Sequence, residues 1–417
     1  MNLKNKTVCV ADKGAFQHVA VKLSKSFGRV LYWLQGEPPF PESPRAMIGT
    51  GYKNMERITC PWPYKDEIDL WVFPDVYNAG IAESLREEGR RVFSAGRAEE
   101  LELDRLLLKE ILKEVGLPVG PYKVIKGVDN LREYLQDKKD LYIKLSYFRG
   151  DFETFHHEDI ALTDFWLDDL QHRLGIRKDE IEFIVESPIE SACEVGRDDW
   201  NVYGRFPKYG GIGYEIKDQG IIEKVFSEMP PIITHIDEKM RPIFEDYEYR
   251  GPYSNELRIT KNGEAYLTDM TSRCGSPPSE GQTVLYTDES YGRAFWDVAE
   301  GRIPQLEPVG ECMAEIILRS PYHEKNQLPI KFPPELEPYV LLKNVAKKKD
   351  GFFVCIPNGN GSFFGAVAGT GKTAESAIEK VQEYLDQIKT IDLEYDSHFM
   401  EEAMEVMSAG EKFGIHF

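Results

Sequence analysis

Gly251 to Gly281 reads GPYSNELRITKNGEAYLTDMTSRCGSPPSEG. Asn262-Gly263 is the favoured two-residue hairpin turn, and alternating runs flank it. With that turn, Lys261 faces Glu264, and counting outward sets Glu256 opposite Asp269. Leu257, Ile259, Tyr266 and Met270 then share a mostly apolar face, and Glu256, Arg258, Asp269 and Thr271 share the other. Two carboxylates facing each other on adjacent strands repel. A divalent cation between them turns that cost into a binding site. Oxygen ligands of this kind suit Mg²⁺, which keeps waters and completes its shell with substrate phosphates. The alternative is a solvated polar face on which Arg258 neutralises the pair.

The chain has 417 residues, enough for roughly two to four domains. Its hydrophobic fraction of 41% supports sizeable cores. A net charge of −20 argues against general binding to nucleic acid or to anionic membranes. The six cysteines stand singly, with no Cys-x-x-Cys pair, so neither a zinc knot nor a disulfide framework is expected. There is no signal-peptide core at the N-terminus and no apolar run long enough to span a bilayer. A cytoplasmic protein with reduced cysteines is the expectation.

Upstream of the hairpin, Thr7–Ala11, Arg29–Leu34, Asp69–Phe73 and Arg91–Phe93 read as strands, with helices over Phe16–Phe27 and Ala79–Gly89. That alternation predicts a small parallel α/β domain. Its first loop, Asp12-Lys13-Gly14-Ala15, is a poor phosphate cradle, and no G-x-G-x-x-G follows a strand. Leu101–Val115 reads as one amphipathic helix closed by Gly116. Lys144 lies inside the apolar strand Leu141–Leu145, ahead of the polar loop Ser146–Asp151. It is either a polyphosphate grip or an edge-strand lysine pointing to water. Ile181–Val185 is an apolar strand that runs into Glu186-Ser187-Pro188-Ile189, with Glu194 beyond. Such an exit can read an adenine edge, and a following carboxylate can accept from ribose hydroxyls.

Tyr209–Gly213 reads as a glycine-rich loop, and the chain from there to about Pro230 as irregular. The stretch after the hairpin is turn-rich. Gly365–Thr373 (GAVAGTGKT) tempts a P-loop reading, but Ala366 occupies the position that needs the first glycine. It is read as a turn into a structural helix over Thr373–Lys389.

The order of these pieces resembles the ATP-grasp superfamily, and within it glycinamide ribonucleotide synthetase. Four stretches carry the resemblance. Leu101–Arg105 with Gly116–Val119 is similar to that family's "lE-x-x-K … GlP". Gly210–Tyr214 is similar to its "GGMGaY", and Asp269–Gly275 to its "E-x-N-x-R-x-G". The tail with Gly369–Lys389 is similar to its C-terminal domain.

The resemblance implies an α/β multidomain chain, an ATP-grasp fold with an N-terminal Rossmann-like domain and a small C-terminal domain. Expected boundaries are 1–98 for the parallel α/β domain, 99–190 for a linker helix and lid, 191–303 for the large subdomain with the hairpin, and 304–417 for the C-terminal α+β domain. It implies that Arg105, Lys144 and Arg149 contact ATP phosphates. Glu186 and Ile189 would lie at the adenine linker and Glu194 at the ribose. Glu256, Asp269 and Thr271 would hold Mg²⁺, with Mn²⁺ as a substitute. Arg273 would face the acyl phosphate or the substrate, so Arg273 and Lys144 are the catalytic candidates. The implied activity is an ATP-dependent carboxylate–amine ligase on small molecules, working through an acyl phosphate, as a homodimer.

The departures are specific. The first loop keeps His18 and only Gly14. Thr271 replaces the usual asparagine. Cys274-Gly275-Ser276-Pro277-Pro278 stands where the family has Gly-Asp-Pro-Glu. The reaction type is therefore expected with different substrates. The alternative is a degenerate member that binds nucleotide or a partner without catalysis.

Overall fold

The computed structural model describes residues 2–36, 44–146, 154–357, 359, 361–396 and 398–417. The chain divides into two units. The first comprises Met1–Glu99, Glu194–Glu256 and Thr271–Phe417, and the second Glu100–Cys193 and Leu257–Met270.

In the first unit, a parallel sheet orders its strands Met55–Ile58, Arg29–Leu34, Thr7–Asp12, Leu70–Val72 and Val92–Phe93. Helices Gln17–Leu23 and Ala79–Glu87 connect strands of this sheet. The expected parallel sheet is present, with Met55–Ile58 as a strand that the sequence does not announce. Asp12 closes the first loop. Its carboxylate accepts from the Lys13 and Phe16 amides at 2.7 and 3.1 Å and from the Tyr32 hydroxyl at 2.7 Å. Gly14 has φ +106°, and a Cβ there would lie 1.9 Å from Asn344 Oδ1. Its carbonyl accepts the Asn344 amide at 2.9 Å. The one glycine of this loop therefore serves a close approach by the C-terminal part of the chain.

The large sheet runs Ala265–Thr271, Arg250–Ile259, Cys193–Val202, Gly210–Ile216, Gly220–Phe226, Cys312–Arg319, Phe363–Gly371 and Val340–Leu342. Two expectations fail here. Gly210–Gly213 is strand and not loop, and the region to Phe226 is regular. The glycines stay in register because their Cβ positions are already filled. At Gly211 a Cβ would meet Glu223 Oε1 at 1.9 Å, and at Gly213 it would meet the Ile222 carbonyl at 2.5 Å. Likewise Phe363–Gly371 is an interior strand, paired with Cys312–Arg319 and Val340–Leu342. Only Lys372 onward leads into the helix Ala374–Leu385, which Thr373 caps with Ser376. The turn-rich stretch holds two helices, Ser279–Leu285 and Asp288–Ala299.

A shared core joins the parallel sheet to one face of the large sheet through Phe16, Phe93, Trp200, Tyr291, Phe295 and Met313. Phe93 and Phe295 have ring centroids 4.2 Å apart. Buried aromatics of this size contribute on the order of 2–3 kcal/mol each.

In the second unit, an antiparallel sheet runs Tyr122–Lys126, Glu182–Glu186, Leu141–Leu145, Thr154–His157. Val128–Leu135 and Ile160–Leu174 supply buried leucines to its core. The helix expected over Leu101–Val115 is two pieces, Glu100–Leu103 and Arg105–Glu114. Asp104 divides them, its side chain accepting the Leu107 amide at 3.1 Å as an N-cap.

The hairpin forms, but its closing pair is Thr260 and Glu264. The Thr260 amide donates to the Glu264 carbonyl and the Gly263 amide to the Thr260 carbonyl, both at 2.9 Å. The turn is therefore Lys261–Gly263, with Gly263 at φ +81°. The extra turn residue moves Ala265 and Leu267, and not Tyr266, onto the buried face with Leu257 and Ile259, and, counted outward from the closing pair, it sets Glu256 opposite Thr268 and not Asp269 as expected. Among the described residues no helix is long and apolar enough to cross a membrane.

Candidate functional site

The second unit gathers cations. Leu141–Leu145 is flanked on both sides by strands, which excludes the edge-strand reading of Lys144. The residue is 8% exposed. Its Nζ lies 3.4 Å from Glu186 Oε2 and donates to the Thr268 carbonyl at 3.2 Å. Lys109, one helical turn after Arg105, closes on Glu186 Oε1. Arg105 begins its helix and is buried. Its Nη1 donates to the Leu145 carbonyl at 2.9 Å, and its Nη2 lies 3.5 Å from Asp269 Oδ2. Its backbone amide donates to Ser146 Oγ at 3.2 Å.

Arg105, Lys109 and Lys144 thus surround Glu186 and Asp269, with cations in excess. Desolvation works to raise the Glu186 carboxyl, but Lys144 and Lys109 outweigh it and hold it below its ordinary range. Asp269 is likewise depressed: desolvation opposes ionisation, and Arg105, Lys144 and the Met270 amide overcome it. Both carboxylates are charged at neutral pH, and a buried ammonium beside a carboxylate is desolvated at lower cost than one left alone.

Of the other sequence candidates in this unit, Ile189 is half-buried, packed against Gly120. The Ser187 amide donates to the Pro121 carbonyl at 3.1 Å, so the linker's first N–H beyond the strand is engaged. Glu186 directs its side chain to the two lysines. Arg149 lies outside the described residues, and of its loop only Ser146 is described.

Glu194, Glu256, Thr271 and Arg273 belong to the first unit. There the large sheet carries an acidic face. Asp198 pairs with Gly211 and Gly213 with Glu223. Ser254, two residues before Glu256 on its strand, donates to Asp198. Glu223 is fully buried, and neither of its carboxylate oxygens has a hydrogen-bond partner among the described residues. Burial pushes Asp198 up to about 7, against the Ser254 hydrogen bond. Glu215 is exposed, so burial counts for less there than the carboxylates of Asp198 and Glu256, which raise it while Arg273 pulls the other way.

Beside this face, Glu280 is fully buried. It accepts from Lys343 Nζ and Ser276 Oγ at 2.8 Å and from Ser279 Oγ at 3.2 Å. Burial opposes its charge, but Lys343 and His18 bring its pKa down to about 2. His18 Nε2 lies 3.0 Å from Ser279 Oγ. Burial, aided by Lys343 and resisted by Glu280, lowers His18 to about 4, so the ring is neutral. With Ser279 donating to Glu280, its oxygen accepts from His18 Nε2–H. Glu315 takes the Gly281 amide at 2.8 Å.

Sequence reasoning missed Lys109, which its spacing from Arg105 on one helix face could have revealed. It also missed Asp198, Glu215, Glu223, Glu280 and Lys343. Glu280 stands two residues beyond the expected Gly-Asp-Pro-Glu position, and Lys343 has no local signal.

Among the described residues, no group of three or more His, Cys, Asp or Glu side chains forms a preformed metal cage. Asp269 is held ionised, and a charged carboxylate of this kind fits Mg²⁺, which draws most of its shell from phosphate and water.

No family model and no curated relative matches the chain. Solved structures do. Phosphoribosylamine–glycine ligase from Thermotoga maritima aligns with a TM-score of 0.64 at 17% identity, over 93% of this chain and 98% of that one. Biotin carboxylase from Campylobacter jejuni, as a β-γ-ATP complex, gives 0.64 at 15% identity, over 96% and 95%. L-amino acid ligase from Bacillus licheniformis gives 0.60 at 12% identity, over 94% and 99%.

Proposed function

We propose that this chain, whose fold is that of the ATP-grasp enzymes, is an ATP- and Mg²⁺-dependent ligase that joins a carboxylate to an amine through an acyl phosphate. The observation that carries this reading is the convergence of Arg105, Lys109 and Lys144 on Asp269 and Glu186. Phosphoryl transfer needs positioned positive charge around the γ-phosphate more than a covalent nucleophile.

In this reading Lys144 and Arg105 contact the phosphates, joined by Arg149. Glu186 holds Lys144 in place and offsets the desolvation of its ammonium. The Glu186–Ile189 segment passes the adenine and Glu194 the ribose. Asp269 and Glu256 hold Mg²⁺, with Thr271 as a weaker oxygen donor. Bound there, the metal neutralises charge on the transferring phosphate.

The substrate carboxylate oxygen attacks the γ-phosphorus and ADP leaves. The amine nitrogen then attacks the acyl carbon, phosphate departs, and the amine proton passes to a base. Arg273 meets the carboxylate or acyl phosphate. Asp198 and Glu215 lie on an acidic face suited to an ammonium. The Gly275-Ser276-Pro277-Pro278 segment, with Glu280 tied to Lys343 and Ser279 to His18, supports substrates other than glycine and phosphoribosylamine.

The test is Mg²⁺-dependent ADP release across a panel of carboxylates and amines, with Asp269→Asn alongside. ADP formed with one acid–amine pair and lost in the variant supports the ligase. ATP bound without ADP from any pair, and unweakened by Asp269→Asn, supports a nucleotide-binding protein without catalysis.

A further inference from the structure

Asp198 and its neighbour Arg197 point to opposite faces of the large sheet. On the Arg197 face lies a second charged cleft, remote from the acidic surface just described. Arg197 is 2% exposed. Its Nη2 donates to Asp199 at 2.9 Å and its Nη1 to Asp237, and its guanidinium lies 3.9 Å over the Phe206 ring. These contacts leave Arg197 Nε and Asp237 Oδ1 buried without a hydrogen-bond partner among the described residues. Native proteins satisfy almost all such atoms, so an orphan donor and an orphan acceptor side by side call for a ligand offering both.

Arg197 and Asp237 line a cleft of about 300 Å³ together with Arg205, Phe206, Met229 and Arg241, with Glu238 also in its wall. That volume is at the small end of metabolite sites. Arg205 and Arg241 are exposed, as is Glu238, so charges of both signs reach the opening. Gly204, at φ +72°, lets Arg241 lie across its turn, since a Cβ there would be 2.7 Å from Arg241 Cγ.

We propose that this cleft binds a small zwitterion with an apolar side chain, an α-amino acid of about leucine's size. Its carboxylate meets Arg197 and Arg241, its ammonium meets Asp237 and Glu238, and its side chain packs on Phe206 and Met229. A simple anion would be repelled by Asp237 and Glu238, and a simple cation by the arginines. A molecule carrying both charges serves the orphan donor and the orphan acceptor together, and pairs with Arg241 and Glu238 at the opening. The site is independent of the ligase reading, because it lies on the other sheet face and takes no part in the ATP chemistry.

The test is calorimetry on the full chain without ATP, using three probes of similar size. L-leucine carries both charges, 4-methylpentanoate lacks the ammonium, and 3-methylbutylamine lacks the carboxylate. Saturable binding of L-leucine, at least about tenfold tighter than either analogue, is expected. Arg241→Ala, at an exposed position, weakens it at least about tenfold. Met229→Trp fills the cleft and abolishes it. Absence of saturable leucine binding overturns the proposal. So does equal binding of 4-methylpentanoate, which would make this an anion site, or equal binding of the amine. Leucine affinity unchanged in Arg241→Ala also overturns it, and that variant decides the matter should Met229→Trp misfold. Because ATP is absent, failure here leaves the ligase assay untouched, and the reverse holds as well.

Discussion

Lys144 and Glu186 lie 3.4 Å apart on neighbouring antiparallel strands, offset by two positions, with Lys109 closing on the other carboxylate oxygen. One carboxylate therefore holds two ammonium groups. Glu186→Gln leaves both without their counter-ion in a poorly solvated place. A loss of about 2 kcal/mol in stability is expected, read as a lower urea midpoint at unchanged m-value. Lys144→Ala weakens MgATP binding by at least about tenfold in calorimetry.

Arg105 bridges the Leu145 carbonyl and Asp269 from one planar group. Lysine has the charge but not the fork. Arg105→Lys is expected to weaken MgATP by about tenfold or more, with circular dichroism unchanged. Equal affinity in the variant would remove Arg105 from the phosphate site.

Thr271 offers a hydroxyl where an amide oxygen is the stronger metal ligand. Thr271→Asn should lower the Mg²⁺ concentration that gives half-maximal ADP release, by about threefold or more. An unchanged Mg²⁺ dependence would place residue 271 outside the metal shell.

Gly211 has no room for a methyl group, its Cβ position lying 1.9 Å from Glu223 Oε1. Gly211→Ala should destabilise the chain by about 2 kcal/mol. Adding Glu223→Ala should recover much of that loss, and the double-mutant cycle measures the coupling.

The pH dependence has two limbs of opposite sign. Glu280 is depressed from 4.5 to about 2, so its contribution is full above pH 4.5 and is lost as pH falls towards 2. Glu280→Gln should flatten the acid limb of thermal stability. Asp198 is raised from 3.8 to about 7. The folded state then holds a proton that the unfolded chain releases, so stability declines as pH rises from about 4 to about 7. In Asp198→Asn that decline should shrink, as scanning calorimetry across the range would show.

The elements that local pattern announces were legible. Leu141–Leu145 and Arg29–Leu34 occupy the residues that their apolar runs predict. Arg105, Lys144 and Asp269 could be singled out because a cation or an acid in such a setting needs a partner. Errors came where the neighbours decide. The glycines of Gly210–Gly213 read as a loop because glycine usually frees the backbone. Here Glu223 and the Ile222 carbonyl occupy the missing side-chain positions, and the sheet keeps the strand extended. Gly365–Gly371 read as a turn for the same reason, although it is paired on both edges.

What the sequence alone determined is the set of elements whose formation depends on nearby residues. Hydrophobic periodicity, the Asp104 and Thr373 caps and a glycine-bearing turn act within a few residues of themselves. What only the tertiary structure decided is which charges meet. Glu280 finds Lys343 and His18 from distant parts of the chain, and Glu186 finds Lys109 and Lys144. Electrostatic energy depends on separation and on the water removed around each group, and neither quantity is written in residue spacing.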